Sequence, residues 1–192
     1  MSNIKILTCG SVDDGKSTLI GRIMHDTNNL YIDQSDYLTE LLESQNEEMD
    51  FSLLLDGLLD EKEQKITIDA AFKYLSFNNK NFVFIDSPGH THYTKNMAYA
   101  STFADIAILL IDAKKGISEQ TKIHLSILNN LDTVKKIIVC INKIDLVNYE
   151  EAVYKSIKND LENYSQEIKA KIHSYIPISA KLGDNIFQKS NK

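Results

Sequence analysis

Gly10-Ser11-Val12-Asp13-Asp14-Gly15-Lys16-Ser17, continued by Thr18, fits Gly-x-x-x-x-Gly-Lys-Ser and stands between an apolar run, Ile4–Cys9, and a stripe of Leu19, Ile20, Ile23 and Met24. That order of strand, glycine-bearing loop and helix makes a phosphate grip. Glycines let successive backbone N–H groups turn inward around the phosphates, Lys16 reaches the β- and γ-phosphates, and the Ser17 hydroxyl is offered to Mg²⁺. The stretch predicts binding of a nucleoside triphosphate.

Outward from this loop, apolar runs and amphipathic stripes alternate along 192 residues, enough for one domain with a full core. The alternation predicts an α/β fold around a mainly parallel sheet with helices on both faces. We read strand Ile4–Cys9, helix Lys16–Thr27, and a polar connection to about Lys65. Strands Asp69–Phe77 and Phe82–Asp86 follow, joined by a turn at Asn78-Asn79-Lys80-Asn81 into an antiparallel hairpin. A helix at His92–Ser101, strand Ile106–Asp112, helix Glu119–Leu131 and strand Ile137–Asn142 come next. Helix Tyr149–Lys171 and strand Ser174–Ile178 complete six strands in one sheet. In the long helix Val153, Ile157, Leu161, Tyr164, Ile168 and Ile172 recur at three- or four-residue spacing, with Asn148 as the expected N-cap.

Composition narrows the setting. No apolar run is long enough to cross a bilayer, and Met1 is not followed by a basic stretch and an apolar signal segment. Cys9 and Cys140 each fall in a strand-like run, so buried free thiols and a cytoplasmic location are expected. A formal charge of −6, without a basic stripe interleaved with aromatics, argues against nucleic acid as a partner. Between Asp33 and Asp69 twelve carboxylates face only Lys62 and Lys65, which predicts a solvated surface segment.

Asn142-Lys143-Ile144-Asp145 ends a buried strand, at the carboxyl edge where open α/β sheets bind ligands. Guanine presents two adjacent donors, the ring N1–H and the exocyclic amine, and the Asp145 carboxylate can accept both. Adenine places an acceptor there, and sites built on such matching reject the wrong base by roughly 10⁴ to 10⁵. Asn142 has two open roles, bonding the N7/O6 edge of guanine or tying the segment to the Gly10 loop. The Lys143 stem would lie over the ring face, and Ser179-Ala180-Lys181 would add a backbone N–H to the guanine oxygen. GTP is therefore expected over ATP.

Asp86-Ser87-Pro88-Gly89-His90 ends another apolar strand. Asp86 is read as a carboxylate acting on Mg²⁺ from behind its direct ligands. The Gly89 N–H would bond the γ-phosphate only while that group is present, and the Thr67 hydroxyl would complete the Mg²⁺ shell. His90, directly after Asp-x-Pro-Gly, would orient the attacking water; the alternatives are a surface histidine beside His92 or a metal pair. His25, His124 and His173 are read as ordinary surface or partly buried residues.

These motifs together are similar to the GTP-binding domain of the translation-factor class of GTPases. Within that class the chain resembles most closely the large GTPase subunits of bacterial sulfate adenylyltransferases. The carrying residues are Gly10–Thr18, Leu55-Asp56-Gly57-Leu58 with Glu61, Glu63 and Gln64, Tyr93–Met97, Asp112–Gly116 and Glu119-Gln120-Thr121. Asp14 stands where elongation factors usually have His or Ser. The resemblance implies that GTP hydrolysis here drives a catalytic small subunit to join sulfate to ATP, giving adenosine 5′-phosphosulfate. Two other readings stand beside it: a nucleotide-gated binding module with negligible hydrolysis, and a translational GTPase.

Lys65 replaces the family's Gly before Ile66-Thr67-Ile68, which narrows the backbone choices of that segment. The resemblance also implies that residues 1–192 are a GTP-binding domain truncated before a further helix and two β-barrels, with an apolar patch left on one face of the sheet.

Overall fold

The computed structural model describes residues 3–29, 51, 69–170 and 172–191. Strand β1 (Ile4–Cys9) and helix α1 (Lys16–Asp26) flank the phosphate loop as expected. The hairpin β2 (Ala71–Phe77) and β3 (Lys80–Asp86) leads through a 3₁₀ turn, Thr91–Tyr93, into α2 (Thr94–Ser101). Strand β4 (Ile106–Asp112), α3 (Glu119–Asn129) and β5 (Lys136–Asn142) follow. A second 3₁₀ turn (Ile144–Val147), α4 (Glu151–Glu167) and β6 (Ile172–Pro177) complete the described elements.

The six strands form one sheet in the order β2-β3-β1-β4-β5-β6, parallel except for the β2–β3 pair. The central strands are buried on both faces, which is why they read as nearly unbroken apolar runs. Alternate residues serve opposite layers. Leu7, Leu109, Ile111, Val139 and Ile141 pack with Met97, Leu125, Leu128, Ile157 and Leu161 of α2, α3 and α4. Leu110 and Cys140 meet Leu19 of α1 on the other face, and Phe84 meets Ile20 and Met24. Beside α1 an open apolar pocket of about 170 Å³ is lined by Ile6, Ile23, Leu75, Phe82, Phe84 and Phe187, among others.

Boundaries differ where backbone geometry overrides the apolar pattern. The hairpin turn is the pair Asn78-Asn79, both left-handed (φ 48° and 59°), so Lys80 already pairs with Phe77. Helix α2 starts at Thr94 because His90 caps a 3₁₀ turn first. Asn148 does not cap α4. It adopts a left-handed conformation (φ 52°) that ends the preceding 3₁₀ turn, and Glu150 occupies the N-cap position. The stripe of α4 ends early because Lys169 turns left-handed (φ 54°), leaving Ile172 in β6. Of the acidic segment, the described residues are Phe51 and Asp69. Phe51 is buried, 5.4 Å ring to ring from His25 and beneath Arg22, contrary to a wholly solvated reading.

Candidate functional site

The phosphate loop is held from several sides. Its backbone turns through left-handed conformations at Asp13 (φ 65°) and Gly15 (φ 93°), where a side chain would run into Asn142. The Asp14 carboxylate folds back into the loop, its Oδ2 accepting from the Ser11 N–H at 2.6 Å. Burial pushes that carboxyl above its ordinary range, against the nearby Lys16 charge and the Ser11 bond. Lys16 is nearly buried, and its Nζ donates to Ser11 O at 2.8 Å. Desolvation lowers its pKa, while Asp86 and Asp14 favour its charge. Val12 and Asp13 face the outer side of the loop, where Lys115 Nζ lies 3.5 Å from Val12 O and 3.6 Å from the Asp13 carboxylate.

At the end of β3 the Asp86 carboxylate is fully buried and receives two hydroxyls, Ser17 at 2.7 Å and Thr8 at 3.2 Å. Burial raises its pKa; the Ser17 bond and the Lys16 charge oppose this. With its O–H donated to Asp86, the Ser17 oxygen keeps lone pairs for a cation. A hydroxyl backed by a carboxylate is a hard-oxygen set that suits Mg²⁺, which takes few protein ligands beside phosphates and water. Among the described residues, no group of three or more His, Cys, Asp or Glu could hold a metal ion. Thr67 and Lys65 lie outside the described residues.

Gly89 is seated directly on the loop. A Cβ there would strike Lys16 Nζ and lie 2.9 Å from both Gly10 O and the Ser11 carbonyl carbon. His90 follows, its Nδ1 accepting from the His92 N–H at 3.3 Å and its ring stacked on His92 at 5.0 Å. His90 thus stands one residue beyond Gly89, as the cap of the Thr91–Tyr93 turn.

The turns after β5 and β6 lie side by side. Asn142 joins three pieces: Nδ2 donates to Asp14 O at 2.8 Å, and Oδ1 accepts from the Ala180 N–H at 2.9 Å. Of its two expected roles, tying the loop is the one observed. Ser179 is buried and shapes the Ser179–Asp184 turn by accepting from Leu182 and Gly183, while Arg22 of α1 holds Lys181 O at 3.0 Å. Lys143 is left-handed (φ 62°), and its ammonium sits 2.8 Å from Asp112 Oδ2. Burial alone would raise the Asp112 carboxyl, but Lys143 and the Lys114 and Lys115 amides hold it below the usual range. Asp145 Oδ1 is buried and has no hydrogen-bond partner. An orphaned buried acceptor is costly, and this one is free to receive a donor.

Two connections escape a reading of single motifs. The Asp112–Lys143 pair fixes the stem of Lys143. His124, read as a surface or partly buried residue, is in fact fully buried, its Nδ1 accepting from the Gly10 N–H at 3.1 Å. Desolvation, aided by the Lys16 charge, pushes its pKa down to about 4, so the imidazole is neutral. Both cysteines are buried and free, with burial raising each thiol to about 12.

The family model described as "Elongation factor Tu GTP binding domain" matches residues 1–189. The protein "Sulfate adenylyltransferase subunit 1" of Buchnera aphidicola is 48% identical over 191 residues, covering 97% of this chain and 40% of that protein. The protein of the same name from Yersinia enterocolitica is 45% identical over 193 residues, covering 98% and 40%. The chain spans about two fifths of the length of these curated relatives. Among solved structures, a bacterial selenocysteine-specific elongation factor superposes with a TM-score of 0.71 at 27% identity, covering 95% of this chain and 26% of that one. The GTPase-like domain of yeast Ski7, bound to GDP and inorganic phosphate, gives 0.81 at 22% identity, covering 97% and 45%, and speaks for the fold alone.

Proposed function

The chain belongs to the elongation factor Tu GTP-binding domain family, and we propose that it binds and hydrolyses GTP with Mg²⁺ as part of a sulfate adenylyltransferase. The observation that carries the nucleotide reading is the buried Asp145 Oδ1 without a partner. It stands at the carboxyl edge of the sheet, in the segment that Asn142 ties to the phosphate loop. In this reading Asp145 accepts from N1–H and the amine of guanine, Lys143 covers the ring, and the Ser179–Lys181 turn borders the guanine oxygen.

Gly10, Ser11, Val12, Asp13, Asp14, Gly15 and Thr18 shape the phosphate cradle. Lys16 holds the β- and γ-phosphates, and Ser17, backed by Asp86, would hold Mg²⁺ together with Thr67. Bound Mg²⁺ would neutralise charge on the β- and γ-phosphates. The Gly89 N–H would bond the γ-phosphate, and His90 would hold water in line for attack. Phosphoryl transfer asks mainly for such positioning and charge stabilisation.

The sulfate reading rests on the relatives at 45–48% identity that carry the name sulfate adenylyltransferase subunit 1. Their sequences are nearer than that of the selenocysteine-specific factor at 27%, which favours sulfate activation over a translational role. "Subunit 1" points to a partner, which we take to be a small subunit that performs adenylyl transfer. Among the described residues no helix is long and apolar enough to cross a membrane, and we place the protein in the cytoplasm. The test is γ-phosphate release with and without that small subunit, with adenosine 5′-phosphosulfate followed in parallel. Hydrolysis stimulated together with product formation is expected; guanine-nucleotide binding without stimulation would return weight to a translational or purely binding role.

A further inference from the structure

A buried polar chain starts at Gly10, the first residue of the phosphate loop, and runs behind the loop. Gly10 donates its N–H to His124 Nδ1 at 3.1 Å, so the lone pair is on Nδ1 and the neutral ring carries its proton on Nε2. That Nε2 lies 2.8 Å from the Gln120 carboxamide, one helical turn earlier on α3, and the carboxamide in turn lies 3.0 Å from Thr94 Oγ1. As placed, the Gln120 nitrogen faces the His124 N–H, two donors together, while Gln120 Oε1 is buried without a partner. Exchanging the amide oxygen and nitrogen, a choice that the network decides, lets Oε1 accept from His124 and face the Thr94 hydroxyl. The NH₂ group then takes the place where the oxygen lacks a partner.

Thr94 is the first residue of α2, and its oxygen lies 2.7 Å from Thr91 O, inside the turn capped by His90; the single hydroxyl proton goes either to Thr91 O or to Gln120 Oε1, the second contact then being one of packing. The chain of contacts therefore leads from the head of the phosphate loop to the mount of His90. Its support is rigid: α3 is opened by a reciprocal cap between Ser118 and Thr121, and Gln120, Thr121, His124 and Leu125 are all buried. A separate bond, Asn96 to Asp69 at 2.9 Å, ties the same helix to the chain entering β2.

We infer that His124 and Gln120 are positioning residues that tie the Gly10 amide to Thr94, and so set where His90 stands relative to the terminal phosphate of a bound nucleotide. The inference rests on the GTP reading above. Gly10 leaves β1 at the point where the loop begins, and Thr94 begins the helix that follows His90. Cutting the link leaves both segments folded but frees one from the other. Nucleotide binding, which uses the loop, is then retained, while hydrolysis, which needs loop and His90 in register, is not.

Two variants cut different halves. Gln120→Met removes the polar link and keeps His124 on Gly10. His124→Asn keeps an acceptor near the Nδ1 position and loses the contact with Gln120. Binding of GDP and GTP would be titrated on the full chain, and single-turnover GTP hydrolysis measured at saturating protein. Each variant is expected to bind GDP within about twofold of wild type and to hydrolyse GTP about tenfold more slowly. The double variant should be no slower than either single one, because both cut the same link. Hydrolysis in Gln120→Met equal to wild type would overturn the inference, as would GDP binding and hydrolysis falling in proportion, which marks a merely structural role. Wild-type GDP binding separates the two levels: unchanged variants of a binding wild type overturn this inference alone, and a wild type that binds no guanine nucleotide overturns both.

Discussion

Gly89→Ala tests how closely the Asp86–Gly89 segment is seated on the phosphate loop. The added Cβ would lie 2.9 Å from Gly10 O and 2.9 Å from the Ser11 carbonyl carbon, and against Lys16 Nζ. Two of these three neighbours are backbone atoms of a loop that Asp14, Asn142 and His124 also hold, so they yield little. The third is the ammonium of Lys16, a buried residue, bonded to Ser11 O, and displacing it gives up that bond. Overpacking of this kind costs about 1–3 kcal/mol. For a chain of this size each kcal/mol lowers Tm by about 2–4 °C, so a fall of roughly 2–12 °C is expected in a thermal melt followed by circular dichroism. On the proposed reading, in which the Gly89 N–H bonds the γ-phosphate, affinity for GTP should fall more than affinity for GDP. A variant with unchanged Tm and an unchanged ratio of GTP to GDP affinity would refute the close seating.

Replacing His90 by Ala is expected to leave GTP affinity within about twofold and lower single-turnover hydrolysis by about 10²-fold; equal turnover would remove His90 from the mechanism. His124 makes stability depend on pH. Its folded pKa, about 4, lies below the ordinary 6.5, so the unfolded chain binds the extra proton between those values. The stabilisation is fully present above about pH 6.5 and is lost as pH falls toward 4, by about 3 kcal/mol in all. Urea melts at pH 7 and pH 5 should therefore differ less in His124→Asn than in wild type, and equal differences would count against the buried neutral imidazole.

Much of the fold was legible because the parallel strands are buried on both faces and so appear as apolar runs ending in polar residues. Asp86, Asp112 and Asn142 each close such a run, and those ends line the site. The motifs also lay close to their structural places: Gly10–Ser17 runs from the end of β1 into the first turn of α1, Asp86–His90 starts on the last residue of β3, and Asn142–Asp145 on the last residue of β5. What was missed depends on contacts between distant segments or on single backbone angles. Asn148 has the chemistry of a cap, yet a left-handed turn through Asn148 and Tyr149 moves the start of α4 to Glu151. Ile172 continued a helical spacing by coincidence, since Lys169 had already reversed the chain. His124 appeared isolated because its partner Gly10 is 114 residues away. One signal could have placed it: Gln120, Thr121, His124, Leu125 and Leu128 share one face of α3, which puts the imidazole in the core. The Asp112–Lys143 pair carried no such local mark.

The most direct test of the central claim is a titration of GDP and XDP against the wild-type chain and Asp145→Asn. The substitution replaces one carboxylate oxygen by an NH₂ that faces a guanine donor. It removes one charge-assisted hydrogen bond and leaves two donors opposed, at a cost of about 3–6 kcal/mol, or roughly 10²- to 10⁴-fold in affinity. Xanthine offers a carbonyl at that position and so accepts from the new NH₂. The account predicts that wild type prefers GDP and that Asp145→Asn loses GDP affinity and prefers XDP. A variant that binds GDP as wild type does, with no gain for XDP, would contradict it.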